Sequence, residues 1–375
     1  MKKTMMVLAL IIFAIFVSVY QLVRCNRAFG RKPDGERLAR IKNSTNYVDG
    51  KFQNPVVTNV QVDDVPYLKL IKEFFSTTGD RVPKEKIQVE PIDQSRFHHS
   101  RDSVSICWLG HSTLLIEVDG KVILIDPVFS QRVSPFSFIG TKAFPYSENY
   151  SLETLPEIDL VLISHDHYDH LDYQTIKNLK NTDVQFVTAL GVGAHLEYWG
   201  ISPSRITELD WWEDYQFTHE ILFTAAPARH FSGRGLADRF STLWASWIIA
   251  GSKTKLFFGA DSGYYPGFIK IGEKYGPFDI AMLECGQYSQ YWPFIHMMPE
   301  ETLKASDDLK AKALLPIHWG KYKLSIHPWT EPVDRLLAAR DNENTEIVTP
   351  RIGQVFNLNS PFPKKRWWKN EYHEN

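Results

Sequence analysis

The strongest constraint on this chain is what stands at the end of one apolar stretch. Leu160-Val161-Leu162-Ile163 is followed, after Ser164, by His165-Asp166-His167-Tyr168-Asp169-His170. A short apolar run bounded by polar residues reads as a buried strand, so the histidines begin where a strand would end. At that position His165 and His167 share one face and can chelate a single metal ion, while Asp169 and His170 turn toward a second. A lone histidine beside an apolar strand is ordinarily a satisfied polar residue. Four ligand-type side chains within six residues are better explained by a common metal site. Six residues cannot close two coordination shells, so more ligands are required downstream. The matching positions are His230 after the apolar residues 223–226, Asp261 after 257–260 and His318 after 314–317. Imidazoles suit zinc, copper, iron or nickel, and a carboxylate suits a harder ion or a bridging place.

The surrounding pattern predicts an α/β fold. Residues 106–109, 113–118 and 122–126 read as successive short strands, with Asp119-Gly120 turning the last pair. Strands are then expected at 159–164, 184–188, 221–224, 244–250, 255–259, 280–283 and 313–316, and helices at 173–179, 192–199 and 299–309. Strands mixed with helices in two comparable halves imply two packed sheets with helices outside. The domains are expected at 1–30 (an N-terminal anchor or signal segment), 31–102 (an extension with one amphipathic helix), 103–358 (the catalytic domain) and 359–375 (a basic aromatic tail).

The chain of 375 residues is long enough for a sizeable core. Its 42 basic and 44 acidic side chains nearly cancel, so no field favours nucleic acid as a partner. The three cysteines, Cys25, Cys107 and Cys285, form no close pair, and the last two lie in apolar stretches that predict buried free thiols.

Lys2 and Lys3 precede an apolar stretch at 5–23, interrupted by Ser18 and Gln21. At about 1.5 Å per residue it reaches roughly 28 Å, near the hydrocarbon thickness of a bilayer. An uncleaved single-span anchor is expected, with a cleaved signal as the alternative. The side of the membrane stays open, because Arg24, Arg27, Arg31 and Lys32 compete with Lys2 and Lys3. Apolar residues at 67, 68, 71, 74 and 75 have helical spacing, and a helix packed on the catalytic domain is expected there, with a lipid-facing helix as the alternative. The tail Lys364-Lys365-Arg366-Trp367-Trp368-Lys369 reads equally as a membrane-surface segment or as a solvated tail with its aromatics folded back.

These stretches carry a resemblance. The chain looks like a metallo-β-lactamase-fold hydrolase of the branch of N-acyl-phosphatidylethanolamine-hydrolysing phospholipase D and its bacterial relatives. The matching segments are Trp108-Leu109-Gly110-His111-Ser112-Thr113, Ile125-Asp126-Pro127, the histidine run, Asp210-Trp211-Trp212-Glu213, Gly259-Ala260-Asp261-Ser262-Gly263, His296-Met297-Met298-Pro299 and Ile317-His318-Trp319-Gly320. The resemblance implies an αββα sandwich and two divalent ions, with zinc the expected metal. His165, His167 and His230 would hold the first ion, Asp169, His170 and His318 the second, with Asp261 bridging. His296 matches a histidine that lies beside the metals and contacts substrate, so His296 and Asp169 are the implied catalytic residues. Asp126 is expected to orient a ligand, and His111 to stand behind the site. The segment Leu283-Glu284-Cys285-Gly286-Gln287-Tyr288 departs from the animal enzyme, and Gln287 and Tyr288 are its candidate substrate contacts.

The expected activity is phosphodiester hydrolysis of N-acyl-phosphatidylethanolamine or a related phospholipid, by a water whose pKa two metals lower from about 15.7 toward 7. The same ligands would serve another ester, such as a lactone, a cyclic phosphodiester or a β-lactam. A membrane-tethered metal-binding module without catalysis is the remote alternative. A phospholipid, a membrane and a second copy in a homodimer are the partners considered.

Overall fold

Parallel pairing carries the architecture, because it brings the ends of successive strands to one edge. The structure is a computed structural model describing residues 25–76, 79–97, 104–235, 237–340 and 345–369. Of the first 24 residues it describes 5, 6, 10, 11, 13, 14, 17 and 21. Among the described residues no helix is long and apolar enough to cross a membrane, and the expected apolar span at 5–23 falls mostly outside them.

Two seven-stranded sheets form the centre. In the first, the strands are β1 (Ser105–Trp108), β2 (Leu114–Val118), β3 (Lys121–Ile125), β4 (Leu160–Ile163), β5 (Gln185–Ala189) and β6 (Ile206–Leu209), with the late strand β14 (Val355–Asn357) pairing back on β1. In space the order is β6-β5-β4-β3-β2-β1-β14. The pairs from β3 to β6 are parallel and the rest antiparallel. The second sheet runs in chain order through β7 (Asp214–Gln216), β8 (Leu222–Ala226), β9 (Ser246–Ala250), β10 (Lys255–Phe258), β11 (Ile280–Glu284), β12 (Ala313–Ile317) and β13 (Glu346–Ile347). Its pairs from β10 onward are parallel.

Period-two alternation decides which residues meet where. Phe223, Ala225, Trp247, Ile249, Leu256, Phe258, Ile280 and Met282 join one core with Ile106, Leu115, Ile123 and Val161 of the first sheet. Their neighbours Ala226, Ile248, Phe257, Ala281 and Leu283 face the other way. There they pack on α5 (Gly267–Lys274), α6 (Pro299–Asp308) and α7 (Glu331–Ala338) through Phe268, Ile271, Ala305 and Leu336. The shorter helices α3 (Tyr173–Asn178) and α4 (Gly193–Tyr198) contribute Ile176 and Leu196 to the first core. Cys107 and Cys285 are buried free thiols, and Cys25 is exposed.

In the extension, α1 (Gly35–Asn43) buries Ile41, and Arg37 pairs with Glu197 and Glu208 at 2.8 and 2.5 Å. The second helix, α2 (Tyr67–Phe75), overturns the expectation that it packs on the catalytic domain. None of its residues is buried, and Leu68 and Phe75 are 87% and 76% exposed. It is held by polar contacts to its backbone instead: Lys323 donates to Phe74 O at 2.7 Å, and Arg81 donates to Glu73 O.

The tail folds back rather than presenting its aromatics. Trp367 stacks on Trp319 with centroids 5.4 Å apart and donates to Pro350 O at 2.9 Å. Trp368 donates to Asp334 Oδ1 at 3.0 Å, and both indoles are buried. Burial of two indoles outweighs what their exposure at a surface would offer.

Candidate metal centre

Strand polarity gathers the site. Parallel neighbours end on the same edge, so β3 delivers Asp126, β4 delivers Ser164 and the histidine run, β10 leads to Asp261, β11 ends at Glu284 and β12 leads to His318. Strand β8 is antiparallel to β9, which is antiparallel to β10, so the residues after β8 reach that edge too and bring His230. Several of these strand ends turn through positive φ at non-glycine residues: Asp126 (φ 40), Ala260 (φ 51), Gln287 (φ 62) and His318 (φ 65), with His111 (φ 54) in the β1–β2 turn. Such conformations persist only where the surroundings impose them, and they concentrate at functional sites.

The expected ligands form two clusters that share Asp261. In the first, His165 Nε2 and His230 Nε2 lie 2.9 and 3.2 Å from His167 Nδ1, and Asp261 Oδ2 lies 3.9 and 3.7 Å from the first two. In the second, His170 Nε2 is 3.7 Å from Asp169 Oδ2 and 3.1 Å from Asp261 Oδ2, while His318 Nδ1 is 3.0 Å from Asp261 Oδ1. The donor atoms of His165, His167, His230 and Asp261 all lie within 4.8 Å of one another, as do those of His111, Asp169, His170 and His318.

Hydrogen bonds behind the ligands set their tautomers. Ser164 Oγ donates to Asp126 Oδ2 at 2.5 Å, so it accepts from His165 Nδ1 at 2.9 Å and leaves Nε2 a lone pair facing the site. His230 Nδ1 donates to Ile295 O at 2.9 Å with the same result. His170 Nδ1 donates to Asp126 Oδ2 at 2.7 Å, which places Asp126 where a ligand-orienting carboxylate was expected. His111 Nε2 lies 2.9 Å from Asp169 Oδ2 and steadies that carboxylate.

Burial holds the His165, His230 and His318 imidazoles well below their usual range and brings His167 down to about 4. The neutral ring these shifts favour is the metal-binding form. Burial also acts on His170, but the charges of Asp261 and Asp169 and the bond to Asp126 outweigh it and raise that ring. Burial lifts the Asp261 carboxyl to about 6. His170 Nε2 and Asp261 Oδ1 are buried without a hydrogen-bond partner, since the contacts between them and their neighbours lack hydrogen-bond alignment. With Nδ1 donating to Asp126, His170 Nε2 carries a lone pair, and two buried acceptors left unmatched at one point fit a bound cation, while the nitrogen and oxygen donor set fits zinc.

The centre opens into a cleft of about 240 Å³, where Val60, Phe231, Trp292, Ile295 and Leu324 supply apolar wall and Arg239 lies over the Phe231 ring at 4.7 Å. His296 lies on this cleft, its ring 5.3 Å from that of His318. Gln287 lines it as well, but its amide is committed to the loops: it donates to His318 O and Tyr322 O and accepts from Leu324 N. Tyr288 is not brought to the cleft. Its hydroxyl donates to Glu331 Oε1 at 2.6 Å and its ring stacks on His327, which corrects its expected role as a substrate contact.

Two side chains that support the site, Glu284 and Arg234, escaped sequence reasoning. Glu284 is fully buried, with Oε1 accepting from Ser262 N at 2.8 Å and Oε2 2.5 Å from His296 Nδ1. A signal existed, because Glu284 follows the apolar run 280–283 as His165 and His318 follow theirs. Asp166, between the ligands of the histidine run, is buried and meets His195 Nε2 at 3.2 Å, Thr242 Oγ1 at 3.0 Å and Gly233 N at 2.7 Å. Arg234 is buried and donates to Asp166 O, Leu171 O and Ala28 O, clamping the histidine loop to the N-terminal segment. No local pattern announces it.

Gly263 shows how tightly the loop carrying His296 is seated. A Cβ there would lie 1.9 Å from the carbonyl oxygen of Phe294. Gly263→Ala is therefore expected to cost about 1–3 kcal/mol in denaturant unfolding of the metal-loaded protein, and an unchanged unfolding midpoint would show that the loop yields.

Comparison with known proteins agrees with this geometry. The Beta-lactamase superfamily domain family matches residues 121–319. An uncharacterised protein of Mycobacterium tuberculosis is 42% identical over 331 residues, covering 87% of this chain and 88% of its own. N-acyl-phosphatidylethanolamine-hydrolyzing phospholipase D 1 of Caenorhabditis elegans is 33% identical over 303 residues, covering 75% of this chain and 84% of its own. Among solved structures, the metallo hydrolase Igni18 of Ignicoccus hospitalis superposes with a TM-score of 0.52 at 22% identity over 68% of this chain and 98% of its own, a likeness of fold. Shared sequence over most of the chain, the double sheet and the histidine–aspartate clusters agree, and the chain belongs to the metallo-β-lactamase superfamily of metal-dependent hydrolases, on the branch similar to N-acyl-phosphatidylethanolamine-hydrolysing phospholipase D.

Proposed function

We propose that this chain is a two-metal phosphodiesterase of phospholipase D type, cleaving N-acyl-phosphatidylethanolamine or a related phospholipid. The observation that carries the reading is a single carboxylate, Asp261, touching both histidine clusters at the floor of a cleft sized for a headgroup. Two divalent ions held there would lower the pKa of water and neutralise phosphate charge. The remaining chemistry falls to the chain. Arg239 stands at the cleft as a cation for the phosphate, and the apolar wall takes the start of an acyl chain. Burial keeps the Glu284 carboxyl well above its usual range, and Oε2 lies 2.5 Å from His296 Nδ1; in this reading Glu284 carries a proton against Nδ1 and His296 carries N–H at Nε2. His296 gives that proton to the departing ethanolamine oxygen while Nδ1 takes the one from Glu284. The P–O bond to the N-acylethanolamine breaks and water oxygen joins phosphorus, its released proton passing to solvent while a solvent proton restores Glu284, and phosphatidic acid remains.

The cleft volume supports a lipid held largely outside it. The exposed apolar side chains of α2, and Phe138 and Ile139 at 73% and 58% exposure, suit contact with a bilayer. The apolar stretch at 5–23 would tether the chain to that membrane. Lipid mass spectrometry of reactions with N-acyl-phosphatidylethanolamine and ordinary phospholipids, with His165→Ala as blank, tests the proposal. Phosphatidic acid and N-acylethanolamine should accumulate together. Turnover of bis(p-nitrophenyl) phosphate without any of these lipids being cleaved would reject the substrate while keeping the chemistry.

A further inference from the structure

A second cavity, of about 500 Å³, shares no lining residue with the metal cleft. Three lysines line it: Lys86 and Lys142, both exposed, and Lys321, which is 6% exposed. Lys321 Nζ donates to Val128 O at 2.7 Å and lies 5.8 and 5.7 Å from the rings of Phe129 and Tyr322. That uses one of three ammonium donors. Among the described residues no carboxylate lies within ion-pair distance of Lys321, and Glu148 is the one acidic side chain on the wall. Three hydroxyls there are already engaged: Tyr146 and Tyr150 donate to Gly320 O and Glu90 O, and Ser130 donates to Asp172.

Asp172 acts on Lys321 from beyond ion-pair distance, and a buried ammonium with no carboxylate in contact is costly unless something neutralises it. Three cations lining one cavity, the buried one with N–H groups to spare, offer that place to an oxyanion. We propose that this cavity binds a phosphate group, with Lys321 at its base and Lys86 and Lys142 at its rim. The group comes either from free phosphate or from an anionic lipid headgroup. Burial pulls Lys321 down to about 8, which an occupying anion would reverse. The site is independent of the lipid reading of the metal cleft.

Equilibrium binding of radiolabelled inorganic phosphate to the metal-loaded full chain tests it. Lys321→Met, close in volume and uncharged, should lose one phosphate equivalent per chain while keeping its bound metal and its hydrolysis of bis(p-nitrophenyl) phosphate. Equal stoichiometry in both proteins overturns the site. If the Met variant does not fold, Lys86→Met with Lys142→Met leaves the buried lysine in place and should weaken that phosphate class about tenfold; unchanged affinity then overturns it. Flotation on phosphatidic acid and phosphatidylcholine vesicles separates the sources. Selective loss of phosphatidic acid binding in the variant identifies a headgroup, and its absence alongside the lost equivalent identifies free phosphate.

Discussion

Asp261→Asn should empty the metal centre and lower hydrolysis by roughly 10²–10³-fold or more, the scale seen when one preorganised charge-stabilising group is removed. The expectation follows from its position. Oδ2 lies 3.1 Å from His170 and 3.7 Å from His230, while Oδ1 lies 3.0 Å from His318. No other carboxylate among the described residues joins both clusters in this way. The amide keeps the shape of the carboxylate but removes the charge that would offset two cations. Burial already disfavours that charge, lifting the carboxyl to about 6, so the chelated variant should unfold no earlier than chelated wild type. Elemental analysis and thermal unfolding together check this. Two ions retained with full activity would remove Asp261 from the bridging role.

The second large effect is expected at His296 and its buried partner. His296→Ala should lower turnover by about 10²–10⁴-fold, the usual contribution of a positioned acid or base, with metal content unchanged. Glu284→Gln is the sharper test. The glutamine can accept from Ser262 N and donate to His296 Nδ1, so each hydrogen bond of the carboxyl has a replacement. What it lacks is a proton to pass to Nδ1 as Nε2 releases one. Turnover should therefore fall about as far as in His296→Ala, with KM little changed, and the double variant should be no worse than either alone. Near-normal turnover in Glu284→Gln would reduce the glutamate to holding the ring in place. Loss of metal in His296→Ala would make that histidine a ligand.

Legibility varied with the range of the interaction. The histidine run, His230, Asp261 and His318 could be located because each follows an apolar strand, and strand ends are a local signal. Glu284 carries the same mark without standing out, since one acid after an apolar run is ordinarily a satisfied terminus. Tyr288 was misplaced for the opposite reason. It follows the right strand, but Glu331 and His327 draw its side chain away from the cleft.

By itself the sequence determined the alternation of strands and helices, the metal-ligand chemistry and which strand ends would carry it, because periodicity and residue type act over a few neighbours. Only the tertiary structure decided the partners. It set Glu284 against His296, Arg234 across the histidine loop, the tail indoles into the core and the apolar side of α2 outward. These outcomes depend on burial between residues far apart in the chain. A side chain's charge, tautomer or exposure is settled by what closes over it, and no local pattern records that.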